Sequence, residues 1–259
     1  MNQFQLFVQT ILIHPIFEVL RFLTIQTGNF GVAIVLLTVL MRTILVPFTL
    51  PTLRSQKKMR DLKPKIDELK KKHKGDAKKI QQAQMELFKA HNINPLSGCL
   101  PYIVQFIVLI ALYNVLRNFV ANAAAIGMNV QSSFFMFDLS KPDHSLIIPI
   151  IAAVSQLVLS LMILPGAEKH DLIPNNSKKK SVQKANEKET DTQEMAETMQ
   201  KQMVFMMPIM TGIISYQFPA GLGIYWITTT AYSIIQQWMV SGPGALTDYW
   251  KKIPFINRT

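Results

Sequence analysis

The sequence predicts an all-α membrane protein: five transmembrane helices enclosing a hydrophilic groove open to the cytoplasm, with an N-terminal interfacial helix and a cytoplasmic helical hairpin. Three observations carry that expectation. Hydrophobic residues make up 49% of the 259-residue chain and charged residues only 17%, so the charges must be segregated from long apolar stretches. Apolar runs at 29–50, 97–117, 145–164 and 220–240 reach the roughly 20 residues needed to cross a hydrocarbon core of about 30 Å. Basic residues gather in alternate connections, the pattern that orients a chain in a membrane.

Residues 1–28, "MNQFQLFVQTILIHPIFEVLRFL" and its continuation, lack a basic leader and a small-residue cleavage site. His14-Pro15, Glu18 and Arg21 interrupt the apolar run, so this segment reads as an amphipathic helix in the membrane interface, with a sixth span as the weaker alternative. A first span covers 29–50. The connection 51–96 follows, with Met59, Leu62, Ile66 and Leu69 at helical spacing, Gly75-Asp76 as a break with a helix cap, and Ile80, Leu87 and Phe88 on a second helix. An antiparallel hairpin with a narrow apolar seam and a basic exterior results, acting either as an orientation signal with a solvated face or as a docking surface. The second span is 97–117, the loop 118–144 lies outside, and the third span is 145–164. Residues 165–202, containing "NNSKKKSVQKANEKETDTQ", are polar and poor in aromatics and should not fold by themselves. A short fourth span at 203–217 and a fifth at 218–240 form a tight hairpin through "QFPAG", and 241–259 is a basic tail.

Lysines and arginines crowd 51–96, 165–202 and the tail, which follow spans 1, 3 and 5. That places these three regions in the cytoplasm and the N-terminus outside. With no transit-peptide features at the start, the expected setting is a bacterial plasma membrane. The net charge of +11, from 27 Lys+Arg against 16 Asp+Glu, is thus explained by topology before any nucleic acid is invoked. Catalysis has no foothold in the sequence. The single Cys99 permits neither an internal disulfide nor a cysteine metal cluster, and the histidines (14, 73, 91, 144, 170) show no ligand spacing. Nucleotide-binding glycine loops and GxSxG are absent, so neither cofactor nor covalent chemistry is expected.

Arg42 is the anomaly, set in "LLTVLMRTILVPF". On one continuous helix it lies about 20 Å from the outer end of span 1 and about 13 Å from Pro51, too far for snorkelling alone. Central arginine costs about 2.5–3.5 kcal/mol on insertion scales. None of the five spans contains Asp or Glu, so no internal ion pair can offset that cost. Gln105 and Asn114 in span 2, Ser155 and Gln156 in span 3, and Thr228, Thr229, Thr230, Ser233 and Gln236 in span 5 can hydrate a cavity without neutralising it. Such a cavity, wet from the cytoplasm, is suited to something acidic arriving from outside the chain; the bland alternative is a snorkelled arginine at a helix interface. Met195, Met199, Met203 and Met207 stand four apart, with Met206 and Met210 following, either as an adaptable apolar surface or as ordinary packing.

Several segments together resemble the YidC-type membrane protein insertases, the family with the mitochondrial Oxa and chloroplast Albino proteins. They are "NFGVAIVLLTVLMRTILVPFTL", "SQKKMRDLKPKIDELKKKH", "NINPLSGCLPYIVQFIVLIALYNVL", "FDLSKPD" and "MPIMTGIISYQFPAGLGIYWITTTAYSIIQQ". The resemblance covers about residues 28–240. It implies a non-enzymatic, ATP-independent insertase whose groove arginine, Arg42, attracts acidic residues in a client's translocated tail while the client's apolar segment slides into lipid along spans 3 and 5. Gln156 and Trp226 align with that path, and Gln105, Asn114, Thr229 and Gln236 complete the expected groove. Lys57, Lys58, Arg60, Lys63, Lys70, Lys71 and Lys72 of the hairpin correspond to elements that receive clients or targeting factors. Lys251, Lys252 and Arg258 imply a transient ribosome contact. Implied partners are nascent membrane proteins, the lipid bilayer, the ribosome, the signal recognition particle or its receptor, and a Sec translocon. Against the family pattern, 165–202 is longer and more charged, and the large periplasmic domain of the six-span form is missing. Two other classes fit the residues alone: a small anion transporter or channel with Arg42 as counter-charge, and a structural membrane assembly factor.

Overall fold

A computed structural model describes residues 9–73, 76–93, 100–125, 133–163, 205–244 and 246. A π-helical turn, Gln9–Ile13, leads into α1 (His14–Thr27), followed by α2 (Phe30–Ile44), α3 (Val46–Asp61), α4 (Lys63–Lys72) and α5 (Ala77–Ala90). Then come α6 (Leu100–Ala125), the hairpin β1 (Ser133–Phe134) and β2 (Phe137–Asp138), α7 (Ile147–Ile163), α8 (205–217) and α9 (Ala220–Ser241). Two compact units result, one of Met1–Thr49, Cys99–Gln156 and Pro208–Ile235, the other of Leu50–Gly98, Leu157–Met207 and Gln236–Thr259.

The first unit is built around Leu20, Phe30, Ile34, Leu112, Val115, Phe119, Leu139, Ile148 and Tyr225, all buried in one apolar cluster. α1 contributes Ile16, Leu20 and Thr24, and its Phe17 ring lies 5.3 Å from that of Phe119. The segment expected in the interface therefore packs one face on protein and leaves Phe22 and Ile25 exposed. Glu18 and Arg21, which interrupt its apolar run, pair with each other at 3.1 Å. Gly28 closes α1 with φ +66°, a conformation glycine adopts without steric cost, and the Asn29 side chain accepts the Val32 N–H to open α2. Ala-rich "VANAAA" carries α6 on to Ala125, past the expected end at 117.

Span 1 differs most from expectation. Its continuous helix over 29–50 is instead broken at Leu45 into α2 and α3. Pro47 explains the break: it has no N–H for the carbonyl of Thr43, and its ring crowds that carbonyl. Pro51, taken from sequence as the helix end, lies inside α3. At 15 residues α2 is about 22 Å long, so Arg42 is in its last turn, where carbonyl dipoles favour a cation. Among the described residues no single helix is long and apolar enough to cross a membrane, although α2 and α3 pass that test as a bent pair.

Outward faces are strongly apolar: Val32, Leu36 and Leu40 on α2, Phe106 and Ile110 on α6, Ile150 and Val154 on α7, and Met206, Ile209, Met210 and Ile213 on α8 are all exposed. Stripes of this extent on helix after helix are what a lipid-facing protein presents. Of the predicted methionine stripe, Met206 and Met210 share this outward face, while Met195, Met199 and Met203 lie outside the described residues. Small residues let the helices approach. A Cβ on Gly223 of α9 would strike Ile148 of α7 and crowd the Ser215 hydroxyl of α8, and one on Gly212 would press on Ala153.

In the second unit, α4 and α5 pack together, with Leu62, Ile80 and Ile93 buried and Ile66, Leu69, Leu87 and Phe88 half-buried. The predicted cap is present: Asp76 accepts the Lys79 N–H at 3.1 Å and pairs with its ammonium at 2.9 Å. Residues 165–202 and the tail residues Lys251, Lys252 and Arg258 lie outside the described residues.

Candidate functional site

Arg42 anchors a relay of neutral groups inside the first unit. Its Nη2 donates to Oε1 of Gln105 at 2.7 Å, and Nε2 of that amide donates to the Tyr225 hydroxyl at 2.7 Å. Three helices, α2, α6 and α9, each supply one member. A buried tyrosine needs a partner for its hydroxyl, and the Gln105 amide fixes the rotamers on both sides of it. Tyr232, seven residues on, meets the Thr43 hydroxyl at 3.1 Å, adding a second polar link between α2 and α9. Among the described residues no acidic side chain pairs with Arg42, and the residue is half-buried rather than sealed. The guanidinium thus has its geometry set by dipoles while keeping its full charge.

The other predicted groove residues are placed as follows. Thr229 is buried one turn beyond Tyr225 on α9, and Trp226 is half-buried next to it in sequence. Gln156 is half-buried on α7. Asn114 donates to the Ile110 carbonyl of its own helix at 2.8 Å. Gln236, half-buried, belongs to the second unit. Tyr225 and Tyr232 were not singled out from sequence. Their signal was present, because Tyr225, Thr229, Tyr232 and Gln236 recur at helical spacing on one face.

Lys57 and Arg60, both expected to contact clients or targeting factors, have structural partners. Lys57 Nζ donates to the Val240 carbonyl at 3.2 Å, and Arg60 Nη2 donates to the Ser241 carbonyl at 2.7 Å. These are the last carbonyls of α9, which no intrahelical N–H can reach. Gly242 then turns the chain at φ +70°. Lys58 and Lys72 are exposed on their helices. For Lys63, Lys70 and Lys71 only the backbone, in α4, is described.

Asp143, in the "FDLSKPD" segment, locks the start of α7. It is buried and accepts hydrogen bonds from the Ser145 N–H (2.8 Å), the Ser145 hydroxyl (2.5 Å) and the Ile148 N–H (2.9 Å). Burial alone would raise its pKa; the three donors outweigh that and hold the carboxyl below the usual carboxylate range.

Comparison with known proteins puts this chain in the class of the membrane protein insertases. It belongs to the family described as the 60Kd inner membrane protein, whose model matches residues 22–244. The membrane protein insertase YidC of Fusobacterium nucleatum is 34% identical over 84% of this chain and 89% of its own length. MisCA of Bacillus subtilis, also named a membrane protein insertase, is 30% identical over 89% of this chain and 78% of its own. The Campylobacter jejuni YidC is 32% identical over 90% of this chain, which spans only 38% of that relative. A crystal structure described as an active YidC insertase aligns with a TM-score of 0.60 and 26% identity, over 90% of this chain and 46% of that one.

Proposed function

We propose that this chain is a membrane protein insertase in which Arg42 attracts acidic residues of a client's translocated tail while the client's apolar segment passes into lipid. The observation that carries this reading is the Arg42–Gln105–Tyr225 relay. It orients a half-buried cation with neutral groups and leaves it no acidic partner among the described residues. A cation in a surrounding of intermediate dielectric interacts with an approaching carboxylate by several kcal/mol at contact, against about 1 kcal/mol in water. The drive comes from the client, whose own span gains about 0.8 kcal/mol per buried CH₂. Gln105, Asn114, Gln156, Trp226 and Thr229 line the client's route in this reading, and the exposed Lys58 and Lys72 are open to targeting factors or ribosome. The setting is a bacterial plasma membrane with the N-terminus outside.

Photo-crosslinkers at Gln156 and Trp226 test it during synthesis of a single-span client. Capture of successive nascent-chain positions supports insertion. Capture of one constant partner supports an assembly factor, and flux of small anions through proteoliposomes without client capture supports a transporter.

A further inference from the structure

We propose that the tip of the β1–β2 hairpin, Phe135–Met136, is a lipid-anchoring wedge that enters the headgroup zone of the leaflet at the N-terminal ends of α2, α7 and α9. It rests on the membrane placement above. The register pairs Ser133 with Asp138 and Phe134 with Phe137, so Phe135 and Met136 form a two-residue turn. Such turns favour Asn-Gly or Asp-Gly, because at least one position has positive φ. Here Phe135 occupies that position at φ +52°, where bulky side chains are rarely found. Phe135 is 86% exposed and Met136 78%. The turn therefore holds two large apolar groups outward, contrary to what an aqueous loop favours.

Everything behind the tip is fixed. Phe134 packs on Gly31 at the start of α2, where any Cβ would strike the ring. Leu139 is buried, and its carbonyl accepts the Gly221 N–H at 3.0 Å, while that of Lys141 accepts the Ala220 N–H at 2.8 Å. Asp143 holds α7 at the same end through the Ile148 N–H. A polar collar of Asp138, Ser140 and Lys141 follows the tip, charge-balanced by the 2.9 Å Asp138–Lys141 pair. An apolar point with a polar collar, mounted rigidly at the ends of lipid-facing helices, matches the depth of roughly 5–10 Å at which interfacial anchors sit. Exposed Ile25, Val32, Leu146 and Ile147 continue the apolar surface at that end. A protein partner fits less well, since specific interfaces bury about 800 Å² per side, well beyond two side chains.

The test uses the full chain with Cys99→Ser, labelled through Phe135→Cys with an environment-sensitive fluorophore and reconstituted in phosphatidylcholine–phosphatidylglycerol vesicles. Spin-labelled lipids carry the quencher either near the headgroup or at mid-chain. Ser140→Cys reports the collar and Ile110→Cys the exposed face of α6. The wedge predicts several-fold stronger quenching of position 135 than of 140, greater with the headgroup-proximal quencher, while position 110 responds best to the mid-chain one. Equal weak quenching at 135 and 140 with position 110 quenched would overturn the wedge alone. A water-shielded but unquenched label at 135 would also overturn it, pointing to a protein cover. Absence of quenching at 110 as well would overturn the membrane placement with it.

Discussion

Arg42 and Arg60 are both half-buried arginines, yet the molecule treats them differently. Arg60 donates to the terminal carbonyl of α9, beside Lys57 on the preceding carbonyl, and has Asp61 at 4.0 Å. Those carbonyls carry the negative end of a helix dipole and need donors, which the two cations supply, although Nη1 of Arg60 is buried without a hydrogen-bond partner. Arg42 meets a carboxamide and, through it, a phenol. A charge satisfied by backbone holds structure, whereas one positioned by neutral side chains retains its attraction for a visitor. In the function proposed above, the same residue type thus serves as a fastener in one unit and as a receptor in the other.

The contrast breaks if both arginines behave alike when neutralised. Arg42→Met is expected to lower insertion of clients with acidic translocated tails by roughly 10–100-fold, the worth of a lost charge-assisted hydrogen bond of about 1.5–3 kcal/mol. Its thermal unfolding in detergent should be unchanged or slightly raised, since a costly semi-buried charge disappears, and Arg42→Lys should retain much of the activity. Arg60→Met should do the reverse. It loses about 1.5–3 kcal/mol of stability, because the Ser241 carbonyl is left without its donor, with insertion of folded material near normal. A functional loss at Arg60 as large as that at Arg42 would erase the distinction.

Asp143 sharpens the comparison from the acidic side. Asp143→Asn should cost about 1–2 kcal/mol, because both carboxylate oxygens accept hydrogen bonds and the amide nitrogen that replaces one of them cannot. Its pKa is depressed in the folded state, so its contribution is fully present above the unfolded value near 4. It is lost as pH falls through the lower folded value. An acid-unfolding titration should therefore show the wild type weakening below about pH 4 and Asp143→Asn showing less of that dependence. Tyr225→Phe is the smallest change, about 0.5–1.5 kcal/mol for one hydrogen bond, and should reduce insertion only modestly by loosening Gln105.

Much of this was legible beforehand. The boundary between residues 28 and 29, the Asp76 cap, the short α8 and its tight turn into α9 follow from local chemistry that operates within a few residues. Arg42 and Gln105 were recognisable as polar groups in apolar surroundings. What escaped was tertiary. Pro47, between two apolar runs, breaks the helix at Leu45 while Pro51 is tolerated, and that choice depends on how the flanking segments pack. The engagement of Lys57 and Arg60 with α9 links residues some 180 positions apart and leaves no trace in spacing. Tyr225 was overlooked because a tyrosine in an apolar helix looks like packing until its hydroxyl partner is known.

The central claim is that the charge of Arg42 acts on acidic client residues, and a double-mutant cycle tests it most directly. Wild type and Arg42→Gln are each compared on a client bearing Asp in its translocated tail and on the same client with Asn. The account predicts that Arg42→Gln removes most of the advantage of Asp over Asn, a coupling of at least about 1 kcal/mol in insertion efficiency. Purely additive effects, with the Asp advantage intact in Arg42→Gln, would contradict it.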